Sequence, residues 1–202
     1  MFKKFTAVIG LIVASCFSAN ASIITIEQAD YNVGSSNANL AGIWAGLSST
    51  DISSEVLLGD ATLLFNGSGN NYTIFKMIIS VENVNDIMFN LYTGLDAGYG
   101  AEIFVNRSLA DERNDDLWWS RNWSNSDVFA IENLNFMAGT NEIVVYWAEG
   151  RNSGGNSFEF TVDGGDRLVL SNDNLNTTVP TPSTLALFGL VLFGMGLSRK
   201  RA

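Results

Sequence analysis

The residues able to do chemistry in this chain are few in kind. Among 202 residues there is no histidine and a single cysteine, Cys16. Without imidazole, Ser-His-Asp hydrolysis and histidine-ligated zinc are ruled out, and neither a P-loop nor a dinucleotide-binding glycine fingerprint occurs. Carboxylate and aromatic chemistry remain. The 21 Asp and Glu residues could supply the carboxylate pair of a glycan-active enzyme, yet nothing in their spacing sets two at catalytic separation. Most charged side chains of this kind are solvated surface.

Two neighbouring constellations stand out. Asp111, Asp115 and Asp116 lie in an acidic run and offer the hard oxygen ligands that calcium takes. The run lacks Asp-x-Asp-x-Asp-Gly spacing, so a solvated charged loop is the competing reading. Just beyond it, Trp118, Trp119 and Trp123 place three of the five tryptophans within six residues, with Asn122 among them. Indole faces beside amide and carboxylate groups suit stacking on sugar rings, with hydrogen bonds fixing the hydroxyls. The plainer use is packing: adjacent strand residues face opposite ways, so one of Trp118 and Trp119 is expected in the core.

The two ends of the chain say where this chemistry would operate. Lys3 and Lys4 precede an apolar stretch over residues 5–17, and Ala19-Asn20-Ala21 is a small-x-small cleavage site, so residues 1–21 read as a signal peptide for signal peptidase. Val13-Ala14-Ser15-Cys16 also resembles a lipobox, which keeps open a surface lipoprotein anchored at Cys16. At the other end, Pro180-Thr181-Pro182-Ser183-Thr184 leads into an apolar run over residues 185–197 that stops at Arg199-Lys200-Arg201. At about 1.5 Å per residue that run makes a helix of roughly 20 Å, short of the ~30 Å hydrocarbon core, so it spans only with flanking residues and snorkelling basic side chains. The basic end would stay on the cytoplasmic side.

This tail resembles the PEP-CTERM sorting signal of Gram-negative bacteria, with Thr181 in place of the eponymous glutamate. The resemblance implies recognition by an exosortase, an integral-membrane cysteine protease, and passage from an inner-membrane intermediate to the cell surface or extracellular matrix. A second likeness covers residues 101–163, where AEIFVN, DLWWSRNWSNSDV, AGTNEIVVYWAE and FTVDGG are similar to the ectodomain of the CCXG subfamily of PEP-CTERM proteins. The paired cysteines of that subfamily are absent here.

Between the ends, the sequence must build a scaffold that holds the tryptophans. Residues 22–178 carry six basic and all twenty-one acidic side chains, a net of −15, a surface that repels nucleic acid. The length suits one domain with a proper core. Alternating apolar residues mark strands over residues 72–81, 101–106, 142–148 and 158–162, with shorter candidates at 23–26, 61–65, 87–92, 128–136 and 168–170, separated by Gly, Asn and Ser turns. A long loop anchored by Trp44 is expected after the first strand, which reads as an edge strand. The expected fold is all-β, an antiparallel β-sandwich of jelly-roll or immunoglobulin-like type. Residues 22–171 form the domain, 172–178 a polar spacer and 179–202 the sorting signal with its transmembrane helix. The function these readings support is that of an exported, non-enzymatic protein holding extracellular polysaccharide through its tryptophan loop.

Overall fold

In the computed structural model, the described residues are 21–30, 39–65, 72–150 and 155–179. They form β1 (Ile23–Asp30), α1 (Leu40–Ala45), β2 (Ile52–Val56), β3 (Tyr72–Asn83), β4 (Ile87–Gly94), β5 (Asp96–Ala97), β6 (Ala101–Val105) and β7 (Ser108–Arg113). The order continues with β8 (Leu117–Trp118), β9 (Val128–Phe136), β10 (Gly139–Gly150), β11 (Ser157–Val162), β12 (Leu168–Val169) and α2 (Asn172–Thr178). A six-stranded sheet runs β2-β1-β3-β10-β6-β7, a four-stranded sheet runs β12-β11-β4-β9, and β5 pairs with β8. The pairings are antiparallel.

The alternation in β3 and β10 explains why the two larger sheets close on each other. Phe75, Met77, Ile79 and Val81 share the inward face with Ile143, Val145 and Trp147, and all are buried. They meet Phe89, Leu91, Phe129, Phe158 and Phe160 of the four-stranded sheet in one core. Ring stacking sets the layer: Phe75 lies on Trp147 with centroids 5.0 Å apart, and Phe89 lies between Phe136 at 5.1 Å and Phe160 at 5.5 Å. The other side of β3 is covered too. Ile74 and Ala148 pack with Leu40 and Trp44 of α1, so Trp44 anchors this segment as its sequence implies. Glu102 is buried, and its carboxylate accepts the first amides of α1, Leu40 N at 2.6 Å and Ala41 N at 3.0 Å. Those amides have no partner within a helix.

Register fixes two ends. Glycines 94 and 150 and Ala101 sit at one end, opposite Ser157, Tyr72 and Trp147. Asn83 opposite Gly139, and Ile87 opposite Phe136, mark the other. Ser22 begins the domain at the second end, beside Asn176 near the close of α2.

Four expectations change. The segment 23–26 is interior, because β2 pairs outside it and forms the sheet edge. Residues 61–65 are not a strand: Leu63 and Phe65 have φ of 50° and 58°, and only Leu64 bridges, to Asn156. The loop expected from residue 111 starts later, since β7 runs to Arg113. Residues 172–178 are a capped helix with Leu175 buried, not a spacer. The signal segment over residues 1–20, Cys16, and the tail from Pro180 to Arg201, with Thr181, Pro182, Ser183, Thr184, Arg199 and Lys200, lie outside the described residues. Among the described residues no helix is long and apolar enough to cross a membrane.

Phe89, without exposure between two stacked rings, is the position where truncation should hurt most. Phe89→Ala is expected to lower unfolding free energy by about 3–5 kcal/mol in denaturant titration. Leu58, 95% exposed, is the control, and Leu58→Ser should change it by about 0.5 kcal/mol or less.

Candidate functional site

The tryptophans gather at the end of the sandwich marked by Gly94 and Gly150. The short β5-β8 ladder sets Asp96 opposite Trp118. One residue later the chain turns inward. Trp119 is buried, its backbone N–H donates to Leu95 O at 3.1 Å, and its Nε1 donates to Gly155 O at 2.7 Å. Its ring lies so close to Gly94 that a Cβ there would meet it at 2.3 Å. Only glycine fits that contact. The buried indole thus ties the tryptophan loop to β4 and to the segment before β11, and the neighbouring Trp118 is left outside, 63% exposed.

The rest of the loop is held by its own bonds. Ser120 and Arg121 take left-handed backbone, φ 58° and 55°, and Asn122 N returns to Trp119 O at 2.9 Å, a tight reversal. Asn122 Oδ1 accepts Ser124 N at 3.0 Å, so that acceptor serves the loop. The carboxylate of Asp127 accepts Trp118 N, and Asn125 Nδ2 donates to Trp118 O. Trp123 packs behind Trp119, centroids 4.8 Å apart, and its other neighbour is the Arg167 guanidinium at 4.4 Å. Arg167 also covers Tyr92 at 3.9 Å and pairs with Glu159. Of the four residues singled out in this loop, Trp118 presents its indole to solvent, Trp119 and Trp123 pack on each other, and Asn122 shapes the turn.

Beside Trp118 lies a cleft of about 230 Å³ lined by Asp96, Trp118, Trp119, Ser120, Arg121 and Gly155. A second group of carboxylates stands next to Asp96. Burial and then the charge of Asp116 raise the Asp96 pKa, and Arg121 lowers it in part. Glu149, at the end of β10, is pushed up to about 7, first by burial and then by Asp96, against the pull of hydrogen bonds from the Gly98 and Gly150 backbone. Its Oε2 is buried with no hydrogen-bond partner among the described residues. Asp96 and Glu149 carry no local motif. They lie in different sheets, and the fold brings them together where the turn after β5 meets β10, Tyr99 N donating to Ala148 O and Ala148 N to Gly100 O.

The calcium set expected from the sequence is not assembled. Asp111 is held in β7 opposite Ile103, whereas Asp115 and Asp116 follow that strand. Among the described residues no group of three or more acidic, histidine or cysteine side chains is placed to hold a metal ion.

Residues 178–201 match the PEP-CTERM protein-sorting motif. Among solved structures, the chain is similar to a PA14 sugar-binding domain from an RTX adhesin, 14% identical with a TM-score of 0.53, covering 76% of this chain and 97% of that one. The PA14 domain of the antifreeze protein MpAFP is 13% identical with a TM-score of 0.45, over 81% and 93%. The epithelial adhesin 6 A domain from Candida glabrata, in complex with Galb1-3GlcNAc, is 8% identical with a TM-score of 0.48, over 79% and 88%. The likeness to the RTX adhesin domain shows a PA14-like β fold, and at that identity it speaks for fold alone. No curated protein matches the sequence.

Glu149 gives the site a pH signature. Its folded pKa of about 7 exceeds the ordinary 4.5, so between those values the folded state keeps a proton that the unfolded state has released. Its contribution to stability falls as pH rises through that window and levels off above it. Melting temperatures of the wild type relative to Glu149→Gln are expected to decline from pH 4.5 to 7, because the amide does not titrate.

Proposed function

We propose that this chain is an exosortase-sorted, non-enzymatic protein of the cell surface or extracellular matrix, and that its sandwich holds extracellular polysaccharide at the Trp118 cleft. One observation carries the binding half: Trp118 is 63% exposed on a loop whose other tryptophans are fixed, beside a sugar-sized hollow. An indole held in water by rigid neighbours is costly to hydrate and favours a flat apolar ring face, with polar groups nearby to meet hydroxyls. Asp96, Ser120 and Arg121 line the same hollow and supply those groups. The sorting motif at residues 178–201 supports export to the surface, and the PA14-like fold is a scaffold that a sugar-binding adhesin domain also uses.

Charge narrows the ligand. Asp96 lines the cleft, burial and then the charge of Asp116 raise its pKa, Asp96 in turn raises that of Glu149, and Arg121 is the cation beside Asp96. Repulsion from this group and from the acidic domain disfavours uronate polymers, so neutral sugars are the expected class. Hydrolysis by a carboxylate pair is the alternative. Asp96 is the one carboxylate among the described residues lining the cleft, which favours binding over glycosidase chemistry.

The test separates binding from folding. In affinity electrophoresis through gels containing a neutral glucan or galactan, or alginate as the uronate control, wild type should be retarded by a neutral polymer. Trp118→Ala should bind about tenfold more weakly, a loss of about 1.4 kcal/mol, with its melting temperature unchanged. Trp119→Ala should instead lose about 3–5 kcal/mol of stability. Equal retention of Trp118→Ala and wild type would refute the binding site. Release of reducing sugar that disappears in Asp96→Asn would support the enzyme instead.

A further inference from the structure

The two ends of the described domain are bonded to each other. Asn176 on α2 treats Ser22 as a strand neighbour would: its Oδ1 accepts Ser22 N at 2.8 Å and its Nδ2 donates to Ser22 O at 3.0 Å. One turn earlier, Asn172 Oδ1 accepts Ile24 N at 2.8 Å and its Nδ2 donates to Leu57 O at 2.6 Å. Two side-chain amides thus satisfy backbone groups at the start of β1 and just after β2. Another side of the helix enters the core. Leu175 has no exposure, Val179 has 1%, and both belong to the main apolar cluster. Val179 N closes on Leu175 O at 2.8 Å, after which Val179 is extended with ψ 120°. Pro180 follows, and a residue before proline is driven out of the helical region. The helix therefore ends where the sequence forces it to end.

The sorting motif is matched from residue 178, so its first two residues, Thr178 and Val179, already belong to the folded domain. We infer that the peptide bond broken on release of the tail lies on the C-terminal side of Val179, and that residues 172–179 stay with the secreted domain as a clasp on its first strand. This rests on removal of the tail, as proposed above, and is independent of sugar binding. A cut before Val179 would require α2 to open, exposing Leu175 and leaving the Ser22, Ile24 and Leu57 backbone groups without the amides that satisfy them. Hydrolysis on the C-terminal side of Val179 adds one water across the amide, leaving a carboxylate on the domain and a free amine on the tail.

The experiment expresses the full-length chain in a host with an exosortase. It reads the C-terminus by intact mass and terminal peptides, and compares melting of processed and unprocessed protein. The expected result is a terminus at residue 179 or later with the same melting temperature for both forms. A terminus at or before residue 178 overturns the placement while leaving the sorting reading standing. Recovery only with Ala202 attached overturns both. Asn176→Ala in the full-length chain should lower the melting temperature by several degrees, and an unchanged value would overturn the clasp.

Discussion

The pairing of β3 with β10 is the constraint from which the rest follows. Twelve consecutive positions are in register, from Gly139 opposite Asn83 to Gly150 opposite Tyr72, with no bulge to shift a side chain to the other face. A slip of one residue would turn Phe75, Met77, Ile143, Val145 and Trp147 out of the core together. The same ladder delivers Ala148 to the α1 side and Glu149 to the end of the sandwich. Core, helix cover and the placement of Glu149 are thus fixed by one register.

The site inherits its order from that frame and then departs from it. Trp119 enters the end of the sandwich because Gly94 leaves room and Gly155 offers a carbonyl. A single buried indole with its N–H satisfied can hold a loop of turns that has little apolar content of its own. The cost is visible beside it, where Ser120 and Arg121 occupy left-handed backbone and Glu149 keeps a buried oxygen without a partner among the described residues. Strain and unmet polar groups of this kind gather where a surface is shaped for something other than stability.

How much of this was legible depended on whether the signal was local. Period-two alternation over residues 72–81, 142–148 and 158–162 reports burial directly, and those strands came out with the faces read for them. β2 was missed because Ile52–Val56 is an edge strand with four of its five residues exposed, so Ser-Ser-Glu at its centre mimics a loop. α2 was missed because seven mostly polar residues hold one apolar side chain, Leu175, and its asparagines are spent on β1 and the segment after β2. The tryptophan pair could be read as one in and one out, but not which. That choice is made by Gly94, distant in sequence, whose missing side chain leaves room for the Trp119 ring. Asp96 and Glu149 give no motif at all, since only the docking of the turn after β5 against β10 makes them neighbours. The acidic run suggests a cation site by its density, whereas its strand content carries no such signal: Asp111 lies in β7, and Asp115 and Asp116 follow it.

Under the proposed function, export and binding make one physical story: a leader and a tail would deliver an acidic sandwich whose exposed Trp118 adjoins the buried Trp119. The most direct test is a crystal structure of the protein with a neutral oligosaccharide bound. A sugar ring stacked on Trp118, with hydroxyls toward Asp96 and Ser120, is the predicted result. Sugar bound at a different surface, or a Trp118 ring folded into the domain, would contradict the account.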